Sequence, residues 1–256
     1  MKDIINVGIE AAKLAGDFLR SNFGKVGTVV SKGDRSLVTN LDKEAEQLIV
    51  ERIRRQFPGH GVIAEESGEQ EASKEFVWII DPLDGTHNYI RSIGLFGTSI
   101  GIVRKGEFVG GVVYMPVEDE LYVGETGNGA YKNGNKIEVS KRLEIKDCYL
   151  SFDSSIRYAA DQMAGALAAL AKEVFNIRML GSSARILTYL AEGKLDAAVE
   201  YYDLPWDFAG SVCIIREAKG RITGLKGGAL THASTGYVAS NGLLHEEIQR
   251  IIAPYV

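Results

Sequence analysis

FVWIIDPLDGTHNYI, residues 76–90, runs from an apolar stretch into two aspartates three apart, Asp81 and Asp84, followed at once by Gly85-Thr86. A short apolar run of this kind, rich in aromatic and β-branched residues, predicts a buried strand with carboxylates where it ends. Buried carboxylates cost heavily unless something positive sits beside them. Pro82 between the two fixes the backbone and removes an amide donor, so both side chains can converge on one point. The same layout recurs on either side. GVIAEES, residues 61–67, reads as a short strand breaking into Glu65 and Glu66, and LPWDF, residues 204–208, brings Asp207 to the start of a helix.

Working outward, Ile4, Ile5, Ile9, Ala12 and Leu19 fit one face of a first helix that ends near Asn22-Phe23-Gly24. A second amphipathic helix is predicted from about Asn40 to Phe57, closed by Pro58-Gly59. From Gly97 to Val139 short β-rich runs separated by Gly and Asn-Gly predict an antiparallel meander. Beyond it the pattern gives a strand near Tyr149–Phe152, a helix near Tyr158–Phe175 and a short strand at 176–180. A helix near Ala184–Glu192, a strand at 195–202 and a helix from WDFAG to Lys219-Gly220 follow. The fold class is α+β, helices layered on sheets. A single unit over 1–256 is expected, with approximate halves at 1–145 and 146–256.

Of 256 residues 45% are hydrophobic and 25% charged, which suits a sizeable core and argues against disorder. Lys and Arg total 29 against 34 for Asp and Glu, a formal net charge of -5, so no basic excess exists to grip a polyanion. No nucleic acid partner is expected. Cys148 and Cys213 form no CxxC or Cys/His cluster and read as two buried thiols. No stretch resembles a signal peptide or a membrane span, so no membrane partner and a cytoplasmic location are expected.

The chemistry lies in the carboxylates at element ends, where a rigid scaffold presents functional groups. An oxygen-only set suits a hard cation, Mg2+ or Mn2+, rather than zinc. His60, His87, His232 and His245 have no ligand-like spacing and read as surface or packing residues. Glu66, Glu69 and Glu71 read as solvated turn residues, and Asp207 is equally an N-cap or a ligand. If HNYI continues as helix, the free amides of Gly85 and Thr86 face the same spot as the aspartates and form an anion site. Cation-binding carboxylates beside such amides point to a metal-bound phosphate. Gly127-Asn128-Gly129 belongs to a turn, no GxxxxGK[ST] motif occurs, and a calcium-binding module would leave Gly85-Thr86 unexplained. Gly181-Ser182-Ser183 sits at a loop-to-helix junction, where serine is an N-cap and could equally hydrogen-bond a polyol.

AEES at 64–67, DPLDGTHNY at 81–89 and WDFAG at 206–210 resemble, in order and spacing, the signatures of the inositol monophosphatase family, with LVTNLDKEAE at 37–46 similar to its upstream motif. These are Mg2+-dependent, lithium-sensitive phosphatases of small sugar and polyol phosphates. The resemblance implies an αβαβα sandwich, commonly a homodimer. It makes Glu65, Asp81, Asp84, Asp207 and the carbonyl of Leu83 ligands of two or three Mg2+ ions. Asp42 and Thr86 would orient and deprotonate the attacking water, with Glu65 helping, and Gly85 and Thr86 would hold the phosphate. Asp84, Gly181, Ser182, Ser183 and Glu200 would contact substrate. The loop around Lys32 resembles the family's metal-site lid, with Ser36 in place of an acidic residue. The implied activity is hydrolysis of inositol monophosphate by a metal-activated water. Fructose 1,6-bisphosphatase or nucleotide 3'-phosphatase activity, or a noncatalytic RNA-associated regulator, are the alternatives.

Overall fold

The apolar stripe of the first segment closes into α1 (Lys2–Asn22), which buries Ile4, Ile5, Ala12 and Leu19 as its spacing requires. The structure, a computed structural model, describes residues 1–25, 29–31, 37–70 and 74–256; Lys32, Asp34, Ser36 and Glu71 lie outside the described residues. After β1 (Val29–Ser31) and β2 (Leu37–Thr39) comes α2 (Asn40–Gln56), opened by a capping box in which Thr39 and Asp42 serve each other's amides.

An eight-stranded sheet follows, built from β3 (Gly61–Ala64), β4 (Gly68–Gln70), β5 (Phe76–Asp84), β6 (Gly97–Arg104), β7 (Glu107–Met115), β8 (Glu120–Glu125), β9 (Gly129–Lys132) and β10 (Asn135–Lys136). Between β5 and β6 lies the five-residue α3 (Thr86–Ile90). The second half adds β11 (Tyr149–Phe152), α4 (Ala160–Ala171), β12 (Asn176–Arg178), α5 (Ser183–Ala191), β13 (Ala197–Glu200), α6 (Pro205–Glu217), β14 (Arg221–Thr223), β15 (Tyr237–Ser240) and α7 (His245–Ile252). Its strands form a five-stranded sheet in the order β12-β11-β13-β15-β14.

Alternation along the strands stacks these parts into five layers. On β5, Trp78 and Ile80 join α1 and α2 on one face, whereas Val77 and Ile79 face α5 and α6. On β13, Ala198 meets the central helices while Ala197 and Val199 pack with α4 and α7. The expected αβαβα sandwich is the observed fold. The central layer sits close to the larger sheet: a Cβ at Gly111 would lie 2.0 Å from the carbonyl oxygen of Gly210 on α6, and one at Gly101 2.5 Å from Ala209 Cβ. Backbone thus rests on backbone, which sets the height of α6 above the strands that carry the aspartates.

Some elements differ from expectation. Strand β5 runs past the FVWIIDP stretch, residues 76–82, expected for it and on through Asp84, with its register shifted between Asp81, opposite Ser99, and Asp84, opposite Gly97. Helix α4 is shorter than expected because the chain has already turned by Phe175, whose amide donates to the Cys148 carbonyl. Strand β13 ends at Glu200 because the amides of Tyr201 and Tyr202 donate to the Asp153 carboxylate. Strands β4, β14 and β15 and helix α7 had no sequence-based expectation.

Two of the four histidines pack, and His87 and His232 are exposed. His60 accepts from the Trp78 indole at 3.0 Å and stacks on Phe57 and Phe76. His245 is wholly buried, with Thr223 Oγ1 and Ser240 Oγ each 3.0 Å from a ring nitrogen. Burial pushes its pKa down to about 4. The folded protein therefore resists a proton that the unfolded chain accepts near pH 6.5, and stability present above that pH is lost as pH falls toward 4. Denaturant unfolding at pH 7 and pH 4.5 should show a loss of about 2–3 kcal/mol from this group, a slope that His245→Gln should flatten.

Candidate metal and phosphate site

The shift in β5 has a chemical result. In a regular strand, residues three apart point to opposite faces. The irregularity over Pro82 and Leu83 brings Asp81 and Asp84 to one side, and Asp207, in the first turn of α6, meets them there. One carboxylate oxygen from each of the three lies within 4.8 Å of the others. Asp207 is not the N-cap, a place Leu204 takes; it sits at the third helical position, from which its Oδ2 accepts the Leu204 amide at 2.6 Å.

Among the described residues no ion pair reaches Asp81, Asp84 or Asp207. Burial, then the Glu65 charge, holds the Asp81 carboxyl well above the usual range. Burial pushes Asp84 up to about 6, against the pull of bonds from Ser182 Oγ, Ala184 N (2.9 Å) and Ser183 N (3.1 Å). Asp207 is raised by burial and then by Asp203 and Glu65, although the residue keeps some surface. Like charges held this close cannot all ionise without a counter-charge. A buried oxygen-only donor set fits a divalent hard cation.

Glu65, at the end of β3, stands outside the tightest trio, but its charge acts on Asp81 and Asp207. Leu83 keeps its side chain buried and offers its carbonyl to the Thr86 hydroxyl at 3.1 Å. That hydroxyl also lies 3.2 Å from Asp42 Oδ1, and its one proton serves one acceptor at a time. Asp42 spends its other oxygen on the Thr39 amide and hydroxyl, and burial raises its pKa.

Gly85 precedes α3 at φ 85°, and a Cβ there would meet the Leu95 carbonyl at 2.7 Å, so only glycine fits. Its amide and that of Thr86 begin the helix and have no acceptor within it. Asn88 on α3 reaches across the two sheets, its amide nitrogen 2.9 Å from the Leu95 carbonyl and 2.8 Å and 3.2 Å from those of Leu180 and Gly181. Ser182 and Ser183 are buried and direct their hydroxyls to Asp84 and Asp203. Glu200 is buried on β13, and its Oε1 has no hydrogen-bond partner among the described residues.

Behind this loop, Arg185 on α5 is wholly buried and pairs with Glu118 at 2.6 Å and Glu120 at 2.8 Å. Lys132 bridges Glu120 and Glu192 at 2.5 Å and 2.9 Å, and the Tyr122 hydroxyl lies 2.9 Å from both glutamates. The turn that holds Asp84 is thereby tied to the hairpin of β7 and β8. Asn88, Asp203 and Arg185 were not among the residues expected from sequence. Each matters through partners distant along the chain, and no local spacing signals them.

The sequence profile described as the inositol monophosphatase family matches residues 1–256. Among curated proteins the chain is 33% identical to the fructose-1,6-bisphosphatase/inositol-1-monophosphatase of Thermotoga maritima, covering 98% of this chain and 96% of that one. It is 35% identical to the Nus factor SuhB of Escherichia coli over 94% and 92%. Among solved structures, the extragenic suppressor protein suhB of Bartonella henselae superposes with a TM-score of 0.94 at 32% identity, over 99% of this chain and 100% of that one. A match over the whole length, carried into three dimensions, makes this chain a member of the inositol monophosphatase family, phosphatases that hydrolyse phosphoric monoesters.

Proposed function

We propose that the chain hydrolyses the phosphate monoester of a small polyol, inositol monophosphate foremost, by attack of a water. The observation that carries this reading is the meeting of Asp81, Asp84 and Asp207 oxygens beside the linked Asp42 and Thr86. Glu65, Asp81, Asp84, Asp207 and the Leu83 carbonyl would hold two or three Mg2+ ions, with Mn2+ an acceptable substitute. Bound there, the metal lowers the pKa of a water and offsets charge on the phosphoryl oxygens. Thr86 Oγ1 passes its own proton to Asp42 Oδ1 as it takes one from the attacking water, and the raised pKa of Asp42 suits it to accept. The amides of Gly85 and Thr86 hold the phosphate, and Glu200 accepts from substrate hydroxyls. In this scheme Gly181, Ser182 and Ser183 line the substrate's hydroxyls, and Ser182 and Ser183 also fix Asp84 through a hydroxyl and an amide.

The proposal includes one working unit over 1–256 with halves meeting near residue 145, a homodimer, and a cytoplasmic setting. The last is supported by two buried free thiols and by the lack, among the described residues, of any helix long and apolar enough to cross a membrane.

Phosphate release from inositol 1-phosphate, fructose 1,6-bisphosphate and a nucleotide 3'-phosphate, with Mg2+ or with EDTA, tests the reading. Release should require the metal, and Thr86→Ala should lower kcat by roughly 10²–10⁴ with a smaller change in KM. Turnover that survives EDTA, or a Thr86→Ala enzyme as fast as the parent, would overturn it. The likeness to a protein named Nus factor favours a second reading, a noncatalytic RNA-associated regulator. Metal-dependent turnover would exclude the noncatalytic part of it.

A further inference from the structure

Beside Glu200 stands a second carboxylate, Asp203, in the segment EYYDLPWD that joins β13 to α6. Its backbone is pinned: the Gly236 amide donates to its carbonyl at 2.8 Å, and the amides of the preceding Tyr201 and Tyr202 donate to Asp153 at 3.0 Å and 3.3 Å. Its side chain accepts the Ser183 hydroxyl, and the amide of the same Ser183 donates to Asp84. Tyr237 adds a hydroxyl 3.4 Å from Ser183 Oγ. Asp203 is therefore one residue removed from the reacting end of the site.

Asp153, the other acid nearby, is fully used, one oxygen on the Ser155 amide and the other on Tyr201 and Tyr202. Glu200 Oε1 is not: it is buried, and no described residue donates to it. No ion pair among the described residues reaches Glu200, Asp203 or Asp153. A buried acceptor of this kind is left for a donor. Two carboxylates facing one site, with no basic side chain among the described residues paired to them, share a proton, so the pair keeps one negative charge, which accepts hydroxyl protons and opposes a further anion.

We infer that Asp203 is a specificity-determining residue, which with Glu200 forms a paired-carboxylate subsite that takes hydroxyl donors of a neutral polyol and turns away an ester carrying a second phosphate. This rests on the phosphomonoesterase reading above, and sets the chain apart from a bisphosphatase built on the same metal core.

The experiment compares kcat/KM for inositol 1-phosphate and inositol 1,4-bisphosphate, with Mg2+, for the wild type, Asp203→Asn and Asp203→Leu. The wild type should favour the monophosphate by about tenfold or more, as one repulsive charge contact of roughly 1.4 kcal/mol requires. Both variants should shrink that ratio by about fivefold to tenfold, through a fall for the monophosphate and a rise for the bisphosphate. A merely structural part for Asp203 would lower both rates together and leave the ratio alone, which would overturn the inference. If either variant fails to fold, as judged by its thermal melt, the wild-type ratio still decides, and equal rates on the two esters would overturn it. Absence of release from every ester would instead remove the phosphomonoesterase reading, and this inference with it.

Discussion

Asp81→Asn is expected to abolish metal-dependent phosphate release, a loss of roughly 10³-fold or more, while making the metal-free protein more stable. The two effects have one source. Asp81 is buried beside Glu65, Asp84 and Asp207, all acids, and burial first, then the Glu65 charge, holds its carboxyl well above the usual range. An asparagine keeps the shape and still accepts the Leu83 amide, which Asp81 Oδ1 now takes at 2.9 Å. It removes a charge whose burial without a partner costs several kcal/mol, so a gain of about 1–3 kcal/mol in metal-free stability is the expected order. With Mg2+ the order reverses. An ion at 100 times its Kd stabilises the wild type by about 2.7 kcal/mol, and the variant should gain far less. Thermal melts with EDTA and with Mg2+, alongside a phosphate assay, test this; an equal Mg2+ shift in both proteins would remove Asp81 from the ligand set.

Among the described glycines, Gly111 should be the one where an added methyl does most damage. The new Cβ would stand 2.0 Å from the Gly210 carbonyl oxygen and 2.9 Å from its carbon, both backbone atoms that no rotamer change can move. Either α6 rises from the sheet or β7 bends, at a cost of about 3 kcal/mol or more. For a chain of this size the midpoint should fall by roughly 6–12 °C. Since α6 carries Asp207, the folded remainder should also lose turnover. Gly59→Ala, where nothing lies within 4 Å, is the matching control and should melt within about a degree of the wild type. A Gly111→Ala protein as stable and active as its parent would show that the helix does not depend on this contact.

Much of the site was legible because its residues announce themselves locally. Asp81, Asp84 and Asp207 each follow an apolar run, and α1 and α2 repeat their apolar positions at helical spacing. What could not be read is what depends on distant partners. The register shift between Asp81 and Asp84 depends on pairing with β6, and nothing in DPLD alone states its direction. Strand β15 is four residues long and holds its place through β13 and β14 on either side. Asp203 and Asp207 are two aspartates four apart in one segment. Only the approach of Ser183 from α5 separates their duties. Ser182 and Ser183 likewise looked equally like caps and like substrate contacts. The fold makes Ser182 the cap of α5, its oxygen accepting the Arg185 amide at 3.2 Å while its proton goes to Asp84, and turns the Ser183 hydroxyl to Asp203.

The ion network behind the site has a consequence for heat. Arg185, Glu118, Glu120, Lys132 and Glu192 are charged groups withdrawn wholly or partly from water. The penalty for that withdrawal falls as temperature rises, because the hydration of ions weakens, whereas hydrophobic stabilisation per unit area levels off. The brace behind Asp84 therefore gains on its surroundings as the protein warms. On heating toward the melt, the outer helices should loosen before the turn that holds Asp84.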